Sequence, residues 1–526
     1  MSTGREPRAF VGTEWLRWFD PAISCGKAER LRTFIALICL AVLIFVFLMP
    51  LFNAPFERDQ GTYATIARGW IRGALPYRDL WDNKGPMLFL WYIAAFTLFG
   101  ENIKAPHIAA AIAAGLSLFF VWAAAKNLFG RREAAIAATL FALFFSDMFL
   151  QVTANGEVFM LLPLAASFWA FVRGTKKKGG LWFLLSGVLA SLAVFTRQSA
   201  VWTFAGYGAW LAAMYLQRGE QRLQQIVALA TLLSGAVLGA LPFIIYFAAH
   251  GALYDLWYAM FGFNARWVAA QSFLLKLVPP LFMEPGALIG GLIFWIMAAV
   301  GVWKLWKRND RAAWLVISFL AASEAAAQTM GKGSAHYSIQ LVPGAAIAAA
   351  FGFRPILESW KKGGCPVRTG LVIAGSMTMA TLLFAYSRPT PESRFIVQYT
   401  FRDYAEDAIG APAIAKAVMA RSAPGACVYE WGRSSQIYFL ADRQPCSRWL
   451  YDRPYEVDKS MMSQVMADLR KKEPAVILVT AENPPPPELA DFMREKYYFA
   501  GKVNYAKLYM NKPFALHPIL PPYLGE

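Results

Sequence analysis

The sequence predicts a multi-span α-helical membrane protein with a small C-terminal α/β domain. Of its 526 residues, 57% are hydrophobic and 15% aromatic, and the mean hydropathy is +0.39. Such a composition is typical of chains whose apolar runs are long enough to cross a bilayer. After about residue 388 these runs give way to a mixed sequence punctuated by proline, which indicates a separate domain.

An apolar stretch of about 20 residues spans the hydrocarbon core of a bilayer, and the sequence contains about eleven such stretches. They fall near residues 33–52, 106–126, 133–149, 157–173, 181–198, 199–216, 226–248, 286–304, 312–330, 337–354 and 368–387. The first stretch follows a cytoplasmic N-terminal segment, 1–32, and reads as an uncleaved signal anchor. Residues 33–387 therefore form the predicted transmembrane domain.

A shorter apolar piece, residues 87–100, decides the predicted orientation. If this piece is interfacial or re-entrant, the basic clusters all fall on one side, as the positive-inside rule expects. These clusters lie in the N-terminal segment and near residues 126–132, 173–178, 218–222, 304–311 and 354–368. The net charge of +17 then belongs to cytoplasmic loops, and nucleic acid is not a predicted partner. The first outer loop, 53–105, and the C-terminal domain share the opposite face.

The C-terminal domain, 388–526, alternates β-like runs with helical stretches. The runs "ACVYEW" and "AVILVT" predict strands, and residues 455–472 and 488–496 predict helices. Cys427 and Cys446 would pair if this side is oxidising, and two unpaired buried thiols are the equal alternative.

Motifs of several soluble enzyme classes are missing from the sequence. It has no GxxxxGK[ST], GxSxG or HExxH pattern, and its five cysteines and four histidines show no zinc-binding spacing. A nucleotide-driven pump or a serine hydrolase is therefore unsupported. The sequence leaves open whether dispersed carboxylates bind a divalent cation.

The stretch "FERDQGTYATIARGWIRGALPYRDLWDNKGP" concentrates charge in the first outer loop. Its helical spacing predicts an amphipathic helix on the outer membrane surface with Asp59 as N-cap. Asp59 either only caps that helix or takes a proton from an attacking hydroxyl, while Arg58 and Lys84 neutralise a phosphate leaving group. Asp79 and Asp82 either maintain turn geometry or take part in that site.

Other outer loops supply further candidates, each with a simpler alternative. Asn155 and Glu157 would otherwise belong to an ordinary exposed loop, Arg197 would be a snorkelling cation, and Glu324 would form a buried pair. The stretch "GKGSAHYSIQLVP" supplies the remaining candidates, Lys332, His336 and Tyr337. The simpler alternative for His336 is a structural role at the start of a helix. Together these loops would bring carboxylates and cations to one membrane face, as a phosphorylated lipid substrate requires.

The first-loop stretch resembles the first outer loop of the polyprenyl-phosphate-sugar-dependent membrane glycosyltransferases. These form the glycosyltransferase C superfamily, with protein O-mannosyltransferase-like enzymes and the lipid A aminoarabinose transferase. Later, "ANGEVF" is similar to the second acidic loop of the family and "HYSIQLVP" to its "HY…P" element. The likeness covers about residues 33–350, and it implies an inverting transfer of a sugar from a lipid-phosphate donor on the non-cytoplasmic face.

The resemblance also implies roles for single residues. Asp59 matches the catalytic base of the family, and Glu157 its second acidic position. Lys84, Arg197 and His336 match positions near the donor phosphate more loosely.

The sequence departs from the family pattern at two positions. Gln60 stands where relatives often have Glu, which weakens a two-carboxylate metal site, and Gly85 stands where they often have Pro. Some members need a divalent cation and others do not, so the metal requirement stays open.

The resulting prediction is a bacterial inner-membrane glycosyltransferase with its active site and C-terminal domain in the periplasm. Its partners would be an undecaprenyl-type phosphate sugar, membrane lipids, and an acceptor hydroxyl on lipopolysaccharide, polysaccharide or protein. One alternative is a lipid-linked sugar transporter or flippase, which would need midplane charges and inverted repeats. Glu324 is the one carboxylate that the sequence places in the middle of a predicted span, and the sequence shows no internal repeat. The other alternative is a non-catalytic subunit of polysaccharide assembly.

Overall fold

A computed structural model describes residues 27–145, 154–176, 179–217, 222–271, 276–283, 291–329, 334–361, 402–481 and 483–512. The predicted span 368–387 and the candidate Lys332 lie outside these residues. In chain order, the helices before residue 362 are α1 (Lys27–Leu48), α2 (Arg58–Ile71), α3 (Pro86–Phe99), α4 (Lys104–Phe129), α5 (Arg131–Phe144), α6 (Gly156–Lys176), α7 (Gly180–Thr196), α8 (Trp202–Gln217), α9 (Arg222–Ala249), α10 (Leu253–Trp257), α11 (Phe263–Ala270), α12 (Pro280–Met283), α13 (Leu292–Arg308), α14 (Arg311–Thr329) and α15 (Val342–Lys361).

Within the described ranges, four helices are long and apolar enough to cross a membrane. They are Arg30–Leu51, α4, α6 and α9. The count of about eleven spans stays a prediction, although most of the other predicted spans coincide with shorter helices. α3 has 14 residues, which at 1.5 Å per residue is about 21 Å and short of the roughly 30 Å core.

The hairpin between α13 and α14 shows how local sequence sets the helix ends. Asn309 ends α13 in the left-handed conformation, with φ 48°. The carboxylate of Asp310 accepts the backbone N–H of Ala313 at 2.8 Å, and Trp314 Nε1 donates to Asn309 Oδ1 at 2.8 Å. The bond from Ala313 satisfies a backbone N–H that the start of α14 leaves unpaired.

The C-terminal unit, residues 402–512, contains a five-stranded mixed sheet. Its elements are α16 (Arg402–Met419), β1 (Cys427–Trp431), α17 (Gln436–Ala441), β2 (Gln444–Pro445), α18 (Pro454–Val457), α19 (Met461–Lys472), β3 (Val476–Val479), α20 (Pro487–Lys496), β4 (Tyr497–Val503) and β5 (Ala506–Asn511). The strand order is β2-β1-β3-β5-β4. β1 pairs in parallel with β2 and β3, whereas β5 is antiparallel to β3 and β4.

Strands β1 and β3 lie on the two runs predicted to be strands, but the single predicted helix 455–472 is wrong. The helix is interrupted between α18 and α19, where the carboxylate of Asp458 accepts the backbone N–H of Ser460 at 3.1 Å. This local bond competes with continued helix formation. Of the two alternatives for the cysteines, the structure has the disulfide, which joins Cys427 in β1 to Cys446 directly after β2.

The C-terminal unit covers α2, and this corrects two expectations about that helix. α2 begins at Arg58 with Glu57 as N-cap, so Asp59 lies in the first turn and is not the cap. The expected half-exposed amphipathic helix is also wrong, since every residue from Gln60 to Ala67 is buried. The reason is tertiary. α2 packs against α17 of the C-terminal unit, where a Cβ atom at Gly61 would lie 2.2 Å from the Cα atom of Gln436, and against α3, where the rings of Tyr63 and Tyr92 are 5.7 Å apart.

Candidate active site

A cavity of about 520 Å³ lies between the helix ends of the N-terminal region and the C-terminal unit. Its apolar lining includes Val201, Trp202 and Phe261. The ionisable and hydroxyl-bearing side chains in its wall include Arg58, Asp59, Thr62, Lys84, Arg197, Ser199, His336, Tyr337, Arg433, Ser435, Tyr451 and Arg453. Six of the residues predicted from the sequence therefore meet in one cavity, although they come from four separate segments of the chain.

Asp59 is exposed to this cavity from the first turn of α2. Tyr63, one turn later, donates its hydroxyl to Asp59 Oδ2 at 3.4 Å. Burial raises the pKa of Tyr63 well above its ordinary range, and the carboxylates of Asp59 and Asp82 raise it further. Tyr63 therefore stays a neutral phenol that can donate a hydrogen bond beside Asp59.

The loop after α2 presents Lys84 to the cavity. Lys84 Nζ lies 2.9 Å from Asn83 Oδ1 and 3.9 Å from Asp82 Oδ1. Asp82 is buried, and burial raises its pKa in spite of the nearby Lys84 ammonium. Tyr451 of the C-terminal unit donates to Asp82 Oδ1 at 3.4 Å. Asp82 therefore lies behind the cavity wall, where it links Lys84 to the C-terminal unit.

Gly85 explains how the Lys84 loop reaches the end of α7. A Cβ atom at Gly85 would lie 1.9 Å from the carbonyl oxygen of Phe195, so only glycine permits this approach. Gln198 Nε2 donates to the carbonyl of Asn83 at 2.7 Å. The departure from the family pattern at position 85 thus has a structural reason in this chain.

A buried ion pair lies on the same side of the cavity. Arg197 Nη1 is 2.7 Å from Glu157 Oε1, and the two side chains are 8% and 3% exposed. His336 Nε2 lies 3.5 Å from the same carboxylate oxygen, and the Arg197 guanidinium is 4.7 Å from the ring centroid of Tyr337. The snorkelling alternative for Arg197 is wrong, because the side chain is buried and paired.

Asn155 and Glu57 form a second buried contact near the cavity. Asn155 Nδ2 donates to Glu57 Oε1, and both side chains are buried. Neither residue belongs to the cavity wall. The alternative in which Asn155 and Glu157 form an ordinary exposed loop is therefore wrong.

Two predicted residues lie away from the cavity. Asp79 Oδ2 accepts the backbone N–H of Leu75 at 2.7 Å, so the turn alternative describes its contacts. Glu324 Oε1 accepts from Gln328 Nε2 at 3.0 Å on the same helix, α14. Neither Asp79 nor Glu324 lines the cavity.

Sequence reasoning missed the residues that the C-terminal unit contributes to the wall: Arg433, Ser435, Tyr451 and Arg453. It also missed Tyr63 and Glu57 as residues of the site. Spacing within α2 could have placed Tyr63 one turn after Asp59. No local pattern could have identified the four residues of the C-terminal unit, because they are far from Asp59 in the sequence and approach it only in the tertiary structure.

The described residues do not fit a protein-held metal site. Among them, no three His, Cys, Asp or Glu side chains come close enough together to bind a metal ion. Gln60, where relatives often have Glu, is fully buried, and its amide nitrogen and oxygen make no hydrogen bond within the described part of the chain. We therefore derive no step through a metal.

The fold and the cavity define a helical membrane protein whose polar site lies at helix ends beneath a C-terminal α/β unit. The family model described as dolichyl-phosphate-mannose-protein mannosyltransferase matches residues 84–246, the segment that contains Lys84, Glu157 and Arg197. No curated protein sequence matches the chain significantly.

Solved structures of two other proteins share the fold of this chain. ArnT from Cupriavidus metallidurans bound to undecaprenyl phosphate aligns with a TM-score of 0.62 and 14% identity over 95% of this chain and 98% of its own. Its apo state has a TM-score of 0.62 and 12% identity over 91% and 98%. The Archaeoglobus fulgidus oligosaccharyltransferase tethered to an acceptor peptide has a TM-score of 0.52 and 13% identity over 85% and 68%.

Proposed function

We propose that this protein is an inverting glycosyltransferase that moves a sugar from a polyprenyl-phosphate donor to an acceptor hydroxyl. The observation that carries the proposal is the single cavity in which Asp59 meets Lys84, Arg197 and His336. A carboxylate that accepts a proton and cations that receive a phosphate are the two requirements of this transfer. The crystal structure of ArnT with undecaprenyl phosphate supports a donor of this lipid class.

The reaction is a single displacement at the anomeric carbon. The acceptor oxygen forms a bond to that carbon as the bond from the carbon to the phosphate oxygen breaks. Asp59 takes the proton of the acceptor hydroxyl, and polyprenyl phosphate leaves with the electron pair of the broken bond. Attack from the side opposite the phosphate inverts the configuration.

The cations of the cavity stabilise the charge that develops on the leaving phosphate. Lys84 and Arg197 carry fixed positive charges in a partly enclosed site, where hydrogen-bond donors act more strongly than in water. Tyr63 and Tyr451 remain neutral phenols, since burial and the carboxylates Asp59 and Asp82 raise the pKa of each. Tyr451, which lines the cavity, can therefore donate a hydrogen bond to a sugar oxygen, whereas Tyr63 is buried behind the wall and donates to Asp59.

We place this chemistry on the periplasmic face of a bacterial inner membrane. The disulfide between Cys427 and Cys446 supports an oxidising compartment for the C-terminal unit. The basic loops predicted on the other side support the same orientation. The acceptor is proposed to be a hydroxyl of lipopolysaccharide, polysaccharide or protein.

The test is transfer by the purified protein with a panel of polyprenyl-phosphate sugars. Wild-type protein should release polyprenyl phosphate from one donor of the panel. Asp59→Asn should lower that rate about 10²- to 10⁴-fold, the usual range for loss of a general base. Asp79→Asn is the matched control, since Asp79 lies in the same loop but outside the cavity, and it should retain activity.

The same experiment separates the proposal from a transporter. A flippase would move the labelled donor across vesicles without releasing polyprenyl phosphate. Asp59→Asn protein that inserts normally and keeps wild-type transfer would disprove the role of Asp59.

A further inference from the structure

We infer that the C-terminal unit is part of the catalytic machinery because Ser435 positions the turn of α2 that carries Asp59. This inference rests on the proposed function and adds a positioning residue to it. Ser435 lies just before α17, and its side chain is 1% exposed. It is separated from Asp59 by most of the chain, so nothing in the local sequence connects the two.

The contact is made at the main-chain carbonyl of Arg58, the residue before Asp59. Ser435 Oγ donates to this carbonyl oxygen at 3.1 Å, and Thr62 Oγ1 donates to it at 3.0 Å. The two hydroxyl oxygens also lie within hydrogen-bond distance of each other, and because each hydroxyl has one proton, two of these three contacts are hydrogen bonds at any moment. Because Arg58 and Asp59 share a peptide unit, these hydroxyls fix the backbone from which the Asp59 carboxylate projects.

The side chain of Arg58 attaches the same turn to the C-terminal unit a second time. Its guanidinium pairs with the carboxylate of Asp407. The carbonyl of Asp407 accepts the hydroxyl of Tyr505 at 2.8 Å, and Ser434 donates to that tyrosine oxygen at 3.3 Å. Arg58, predicted to bind the donor phosphate, is therefore engaged mainly in holding the turn.

The segment that carries Ser435 is itself held in place. The backbone N–H of Ser434 donates to Glu430 Oε1 at 3.2 Å, and Thr480 Oγ1 bonds to the same oxygen. On the other side, a Cβ atom at Gly61 would lie 2.2 Å from the Cα atom of Gln436. The backbones of α2 and α17 thus approach as closely as glycine allows, and the Ser435 contact has little freedom to move.

Such a contact acts on rate more than on binding. A base that is displaced by a fraction of an ångström loses alignment with the attacking hydroxyl, while the cations that bind the donor keep their places. Removal of the Ser435 hydroxyl should therefore lower kcat and leave the KM for the donor unchanged.

The experiment compares Ser435→Ala with Ser463→Ala in the full-length protein. Ser463 is an exposed serine of the same unit that bonds only to the nearby carbonyl of Ser460, so this variant should behave as wild type. Ser435→Ala should lower kcat about five- to tenfold, the effect expected for one uncharged hydrogen bond. The KM for the donor should stay within about twofold of the wild-type value, because the side chains that bind the donor are unchanged.

A second pair of variants tests the role of the Thr62 hydroxyl in the same kinetic assay. Thr62→Val removes the partner hydroxyl and keeps the shape, whereas Thr62→Ser keeps the hydroxyl. Thr62→Val should lower kcat and Thr62→Ser should restore it. The double variant Ser435→Ala, Thr62→Val should lose less than the product of the two single effects, because both hydroxyls act on one carbonyl.

The outcomes separate this inference from the proposed function. Wild-type kcat for Ser435→Ala, with Asp59→Asn inactive, would overturn the positioning role and leave the function intact. A rise in the KM for donor or acceptor without loss of kcat would show direct substrate contact and also overturn it. A melting temperature equal to wild type shows that a loss of kcat is not a loss of folding, and a lower one with no change in kcat at 25 °C overturns the inference.

Discussion

The two walls of the cavity are built on different physical principles. The wall from the N-terminal region contains the pair Glu157–Arg197, whose side chains are 3% and 8% exposed. In the wall from the C-terminal unit, Arg433 is 38% exposed and pairs with Glu456 at 2.7 Å, itself 48% exposed. One wall therefore holds its charge in a buried environment, and the other holds it in contact with solvent.

This difference indicates what each wall contributes. A buried charged group interacts strongly with its ion-pair partner, and water cannot replace that partner. Its position is therefore fixed. An exposed pair contributes little and is screened by salt. Under the proposed function, the first wall would supply the fixed charge for the donor phosphate, and the second would contribute mainly through uncharged contacts such as those of Ser435 and Tyr451.

The largest effect should come from breaking the buried pair. Glu157→Gln leaves the guanidinium of Arg197 buried without a counter-charge, which should cost about 3–5 kcal/mol of stability. Glu456→Gln, the matched change in the exposed pair of the other wall, should cost at most about 1 kcal/mol. Thermal or denaturant unfolding in detergent measures both. Equal losses in the two variants would contradict the comparison.

A double variant refines this prediction. Glu157→Met combined with Arg197→Met replaces the pair with apolar groups, which should recover most of the stability. Transfer activity should stay lost, because the cation proposed to bind the donor phosphate is gone. Recovery of activity in this variant would show that the pair serves the fold alone.

A smaller effect is expected where the walls join. Gly61→Ala places a Cβ atom 2.2 Å from Gln436 Cα and should cost about 1–3 kcal/mol through overpacking. The C-terminal unit should become more sensitive to protease, and kcat should fall. Gly208→Ala is the control, because a Cβ atom at Gly208 meets no atom within 4 Å. Unchanged protease resistance of Gly61→Ala would disprove the close approach.

The last effect concerns the pH dependence of the C-terminal unit. Burial is the main cause that raises the pKa of Glu430 from its ordinary 4.5 to about 8. The folded protein therefore holds a proton that the unfolded chain releases. Stability from this group is complete below pH 4.5 and is lost as the pH rises towards 8.

Glu430→Gln should flatten this dependence between pH 5 and 8, as measured by unfolding at several pH values. Glu488→Gln, at an exposed position of α20, should leave the dependence unchanged. The same slope in Glu430→Gln and wild type would show that another group titrates.

The sequence by itself determined the helical membrane class, the positions of most helices and six of the candidate residues that line the cavity. Hydropathy and spacing carry this information because they act over neighbouring residues. The stretch from Arg58 to Gly85 contains its own turns and helix starts, so Asp59 and Lys84 could be selected from a resemblance over a short range. The same local signals placed β1, β3 and α20 in the C-terminal unit.

Only the tertiary structure decided which groups act on these residues. Arg197 shows no carboxylate nearby in the sequence, yet it contacts Glu157 across the packing of α6 and α7. Ser435 reaches the carbonyl of Arg58, although 377 positions separate them along the chain. The physical reason is that a hydrogen bond depends on a separation of about 3 Å in space, which the packing of two regions sets and no local pattern encodes.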